Sequence, residues 1–88
     1  MMAVPDFDDR PPESSRVTRY DERHFVTYLR MLEADEEGAH WHEIVRIIFN
    51  LDPVREPQRA WGVYESHLAR ARWMTETGYL HLLRGRPH

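Results

Sequence analysis

Six histidines, at positions 24, 40, 42, 67, 81 and 88, are the side chains of this 88-residue chain best suited to hold a metal or move a proton. His40 and His42 flank Trp41. On a helix the spacing i, i+2 turns two side chains about 200° apart, which defeats joint ligation. No carboxylate or histidine at i, i+4 completes a ligand set. Cysteine is absent, so thiolate metal sites, disulfides and cysteine nucleophiles are excluded. The chain has no glycine-rich phosphate loop, no G-x-S-x-G, and no carboxylate pair set apart in an apolar run that would split its pKa values. These residues imply a protein that is not an enzyme and uses neither metal nor cofactor.

The remaining chemistry is that of charge. All twelve basic side chains are arginine, whose planar fork suits carboxylate and phosphate. They face fifteen acids for a net charge of −3. The front of the chain, residues 1–38, holds ten acids against five arginines, and residues 39–88 hold five acids against seven. A dedicated DNA binder shows a basic excess on its docking face, because phosphate neutralisation supplies most of its affinity. This balance predicts weak or absent DNA binding.

These groups are carried on helices. Residues 1–19 combine prolines, paired acids and Ser14–Ser15, too little apolar area to offset ordering entropy, and read as a flexible acidic arm in which Phe7 is an idle aromatic. A first helix is expected over 20–36, capped by Thr18 or Asp21 and ended by Gly38, with Phe25, Tyr28, Leu29 and Leu32 facing inward. Asp35, Glu36 and Glu37 fall at its C-terminal end, where the helix dipole disfavours negative charge. A second, core helix over 40–50 carries Trp41, Ile44, Val45, Ile48 and Phe49. Pro53 and Pro57 then force a long turn.

The third helix begins at Pro57 and ends before Gly78, with Ala60, Val63, Tyr64, His67, Leu68, Ala71 and Met74 inward and Trp61 in the core. Tyr79, Leu80, Leu82 and Leu83 supply a short fourth helix. The fold class is thus all-α, a small helix-turn-helix variant with an extended turn. It has three main helices and a short C-terminal one over 20–85, followed by a frayed tail, 86–88. No signal peptide and no run of roughly eighteen apolar residues is present, which predicts a cytoplasmic protein with no membrane partner.

In such a plan the third helix enters the major groove. Its outward face is Gly62, Glu65, Ser66, Ala69, Trp73 and Glu76, with Arg59 and Arg70 on one flank and Arg72 on the other. Two or three phosphates could be met, against roughly six to ten in a tight binder. Glu65 and Glu76, with Asp35, Glu36 and Glu37, make an acidic surface that opposes DNA. The small residues ending in Trp73 suit close approach of another protein.

The run YDERHFVTYLRMLEADEEGAHWHEIVRIIFNLDP, followed by RAWGVYESHLARARWMTETGYLHLLRG, resembles the extended-turn helix-turn-helix family of mobile-element regulators. The most telling pieces are W-x-E-I-x-R-I-I-F at 41–49 and R-x-R-W-M-T-E-x-G-Y at 70–79. Members are either DNA-binding parts of longer activators or short single-domain proteins. The short acidic form is similar to the QseM-type antiactivators. That likeness implies binding to an FseA-type activator's N-terminal domain, and to a TraR-type quorum-sensing regulator, so that conjugative-element excision and transfer stay off. A monomer when free, the domain would dock through Trp73, Tyr79, Leu83 and Trp41. A DNA-binding helix-turn-helix regulator is the alternative.

Overall fold

Thr18 opens the helical part of the chain with a reciprocal cap. Its hydroxyl accepts from the Asp21 N–H at 3.2 Å, and Asp21 Oδ2 accepts from the Thr18 N–H at 2.8 Å. Two otherwise unpaired backbone donors are satisfied, and α1 (Arg19–Arg23) follows. The computed structural model describes residues 6–77, in which α2 (Phe25–Glu36), α3 (Trp41–Phe49) and α4 (Pro57–Glu76) complete the set, with no strand among the described residues. The all-helical class read from periodicity stands.

The single helix expected over 20–36 is kinked at His24 (φ −102°, ψ 17°). Helical bonding continues through the kink, from the His24 N–H to Tyr20 O at 3.0 Å and from the Tyr28 N–H to His24 O at 2.8 Å. The buried stripe runs through the kink in unbroken phase from Tyr20 and Asp21, and its polar members hide it from a reading of hydropathy. His24, Thr27, Tyr28 and Met31 are buried, whereas Leu29, expected inward, is half-buried, as are Phe25 and Leu32. Gly38 ends this segment at φ +81°, a conformation costing an L-residue about 1–2 kcal/mol. The Ala39 N–H then returns to Ala34 O at 3.0 Å, closing the last turn.

His40, in extended conformation, caps α3 by accepting from the His42 N–H at 3.1 Å. Asn50, left-handed at φ 57°, ends it. Asp52 shapes the connection to α4, its Oδ1 accepting from the N–H groups of Val54 and Arg55 at 2.9 and 3.2 Å. Pro57 starts α4, where a missing N–H costs nothing, and the helix runs to Glu76 much as its sequence signals predict.

Packed between α2, α3 and α4 are Met31, Ile44, Val45, Ile48, Phe49, Leu51, Ala60, Val63 and Leu68. Tyr28, Ala71 and Met74 form a second buried cluster, against Phe25, Leu32 and Trp73. One buried ion pair crosses this core. Arg70 donates from Nε to Asp21 Oδ1 at 3.0 Å and from Nη2 to Asp21 Oδ2 at 2.7 Å, and Tyr28 Oη donates to Oδ1 at 2.8 Å. Burial alone would raise the Asp21 pKa, but the Arg70, Thr18 and Tyr28 hydrogen bonds outweigh it and hold the carboxyl below its ordinary value.

Residues 6–18, expected as a flexible arm, lie along the helices. Phe7, expected to be idle, packs edge-on to Phe49 with ring centroids 4.9 Å apart. The Asp8 N–H donates to Tyr20 Oη at 3.1 Å, and the carbonyls of Ser14 and Arg16 accept from Arg70 at 2.7 and 2.8 Å. Composition misses this because backbone carbonyls, legible in no side-chain pattern, provide half the attachment. The short helix expected beyond Gly78 and the tail 86–88 fall outside the described residues.

Candidate nucleic-acid interface

α3, the Asp52 turn and α4 form the helix-turn-helix, and α4 has the outward face the sequence implies. Glu65, Ala69 and Glu76 are exposed, and Gly62, Ser66 and Trp73 are half-buried. What helical projection could not foresee is the state of the arginines. Each arginine of α4 meets a carboxylate: Arg59 donates from Nε to Asp9 at 3.1 Å and lies 3.5 Å from Glu56, Arg70 holds Asp21, and Arg72 Nη2 donates to Asp35 at 2.8 Å. The pairs differ in kind. Arg70 is buried, a correction to its placement on a phosphate-facing flank, because its fork is spent on Asp21 and two arm carbonyls. Arg59 and Asp9 are about half exposed, and such pairs contribute only about 0–1 kcal/mol. Arg59 can therefore exchange Asp9 for a phosphate at little cost.

At the end where α3 meets the turn, Arg46 and Arg55 are exposed and make no ion pair among the described residues. Both act on Asp52, whose pKa is lowered first by the Arg55 and Val54 N–H groups and then by these two cations. Gln58 and Arg59 are exposed in the first turn of α4. The acids Asp52 and Glu56 stand among these residues in the sequence.

The structure separates the residues singled out for docking. Trp41 is half-buried in an aromatic cluster, 5.1 Å from Trp61 and 6.0 Å from Tyr64 between ring centroids. Trp61, assigned to the core from the sequence, is 43% exposed, because Ala60 and Val63 fill the interface at its level and leave the indole on the rim. Trp73 lies on the other flank, its ring stacked on the Arg70 guanidinium at 4.0 Å, in a groove it shares with Pro11, Pro12 and Ser14 of the arm. Of the acidic residues, Glu36, Glu37, Glu65 and Glu76 are exposed, and Asp35 is half-buried on Arg72. Tyr79 and Leu83 lie outside the described residues.

The histidines resolve into two kinds. His40 and His42 have ring centroids 4.7 Å apart. The 200° separation expected on a helix fails because His40 stands before the helix in extended backbone. No group of three histidines or acids among the described residues could hold a metal ion. His24 and His67 are buried together, a pairing of α1–α2 with α4 that sequence spacing does not reveal. Since a carbonyl only accepts, His67 donates from Nδ1 to Val63 O at 2.8 Å, and its Nε2 accepts from Tyr20 Oη at 2.6 Å. His24 likewise donates from Nε2 to Asp6 O at 3.0 Å. Both rings are held neutral: burial drives the His67 pKa from 6.5 down to about 4 and lowers that of His24.

This constellation offers no nucleophile and no acid–base pair aimed at an open cleft. No helix among the described residues is long and apolar enough to cross a membrane. A known family described as "T6SS, Transcription factor, DNA binding domain", the RovC DNA-binding domain, matches residues 6–84. Among curated proteins nothing matches the chain. The family is one of transcription factors, not of enzymes.

Proposed function

The chain belongs to this family of transcription-factor DNA-binding domains, and we propose that it regulates transcription by docking the tip of its helix-turn-helix on DNA. The observation that carries the proposal is that the end of α3, the turn and the first turn of α4, where a recognition helix meets the groove, each bear an exposed arginine, Arg46, Arg55 and Arg59, the first two converging on Asp52. Arg46 and Arg55 serve phosphates directly. Arg59 joins them by releasing Asp9. Gln58 is placed to read a base edge, glutamine being a bidentate partner of adenine. About three phosphate contacts give weak, salt-sensitive binding, so one domain needs a second DNA-binding unit beside it to hold a site tightly.

A second reading is favoured by one specific observation: every arginine of α4 already holds a carboxylate, while Glu65 and Glu76 are exposed. On this reading the domain is an antiactivator. It would imitate an activator's own helix-turn-helix, occupy the partner domain of an FseA-type activator or a TraR-type regulator, and leave DNA alone. Partners of this kind are anchored by aromatic residues, and the Trp41–Trp61–Tyr64 cluster and Trp73 supply them. Titration of the 88-residue protein with duplex DNA at low salt separates the readings. Binding that weakens steeply with added salt supports the first. Absence of binding, together with capture of a purified activator domain, overturns it for the second.

A further inference from the structure

Six positions, 19, 23, 26, 30, 33 and 37, recur at spacings of three and four along α1, α2 and its C-cap and so share one side of the kinked helix, all exposed except the half-buried Arg30. They read Arg19, Arg23, Val26, Arg30, Glu33 and Glu37. None forms an ion pair with another described residue. The stripe is basic toward the helix N-terminus and acidic toward its C-terminus. Both halves oppose the helix dipole, which favours acids at the start and bases at the end. A single copy gains nothing from that arrangement. Beside the acidic half runs a groove between α2 and α3 whose lining includes Glu43, Ile44 and Ile47. Ile47 is 65% exposed and Val26, on the stripe itself, 55%.

We propose that this stripe is the interface of an antiparallel, two-fold symmetric homodimer. Turning a second copy end over end lays basic half on acidic half twice. Arg23 comes level with Glu33 of the second copy and Arg19 with its Glu37, and symmetry repeats both pairs, since on a two-fold interface i meets j and j meets i. In the same register Val26 comes level with Arg30 of the second copy, at the groove where Ile47 lies open. The reversed dipoles are then answered as well, each acidic helix end meeting the partner's basic start. By helical projection Glu22 and Glu36 border the stripe on the side away from α3, and they leave the four pairings unopposed at their centre. If the DNA-docking reading also holds, dimerisation raises the phosphate contacts from about three to about six, the lower bound for firm binding.

Sedimentation equilibrium of the full chain at low salt, without DNA, tests the dimer independently of that reading. Wild-type protein should show a monomer–dimer equilibrium that shifts to monomer as salt rises. Arg23→Glu and Glu33→Arg should each weaken it at least about tenfold, because each turns two attractions per dimer into repulsions. The double variant Arg23→Glu/Glu33→Arg should return to within about threefold of wild type, since the pairs are restored with signs exchanged. These side chains are exposed, so folding is not at issue. Should either single variant lose helical circular dichroism, the exchange Arg19→Glu/Glu37→Arg is the second series. Wild-type protein monomeric at about 0.5 mM, single variants that associate like wild type, or a double variant that stays monomeric would each overturn the proposal.

Discussion

Acidification should destabilise this domain well above the range in which carboxylates titrate, through His67. In the folded protein the ring is buried and neutral, its Nδ1 donating to Val63 and its Nε2 accepting from Tyr20, and its pKa falls from 6.5 to about 4. An unfolded chain restores the ordinary value, so between these limits the unfolded state binds the extra proton. The stability contributed by the neutral ring is complete above about pH 6.5 and is lost as pH falls toward about 4. Integrated over the whole shift this amounts to about 3 kcal/mol, of which about 2 kcal/mol falls between about pH 7.5 and about pH 5. His24, also lowered by burial, acts in the same direction, whereas Asp21, lowered instead from 3.8, has its effect below this window. With a urea dependence of about 1 kcal/mol per molar, the unfolding midpoint should drop by about 2 M across that range. Urea titrations at a series of pH values, read by circular dichroism, measure it directly. His67→Leu should be less stable at about pH 7.5, having orphaned Tyr20 Oη, yet show a visibly flatter pH dependence. A wild-type midpoint constant across the range, or a His67→Leu slope equal to wild type, would refute the assignment of a neutral buried ring.

Arg70→Met should cost about 3–5 kcal/mol, measured by the same titrations, because it strands the buried Asp21 carboxylate and frees the Ser14 and Arg16 carbonyls. Gly38→Ala should cost about 1 kcal/mol; nothing crowds its Cβ within 4 Å, so the loss isolates the positive φ. Asp9→Asn should leave stability within about 0.5 kcal/mol and yet tighten DNA binding several-fold in a fluorescence-anisotropy titration, since Arg59 loses its competitor carboxylate.

Where local chemistry alone decides the structure, the residues announce it. Thr18, Gly38, Asn50 and Pro57 each fix a helix end through hydrogen bonds or backbone angles confined to a few neighbours, and the helix limits follow. Ala60, Val63, His67, Leu68, Ala71 and Met74 are buried as their spacing implies. What eludes sequence is contact across long separations. Asp21 and Arg70 are individually a first-turn acid and a flank cation, and only tertiary packing makes them a buried pair. The inward stripe of α1–α2 is misplaced toward Leu29 because its buried side carries Asp21, His24 and Thr27, polar residues that hydropathy puts outside. Trp61 moves to the rim, against Trp41 and Tyr64, because Ala60 and Val63 beside it take the buried positions of α4. The candidate interface was half legible: the scarcity of cations on α4 could be counted, but not that Arg59 is exchangeable while Arg70 is locked.

On the proposed function, Arg46, Arg55 and Arg59 form a phosphate-binding tip. Its most direct test is the salt dependence of the affinity for a short DNA duplex. Three phosphate contacts per domain predict a slope of log K against log salt of about −2.7, falling to about −0.9 when Arg55 and Arg59 are both replaced by alanine. Binding whose slope is unchanged by that double replacement would place the DNA elsewhere on the molecule and contradict the account.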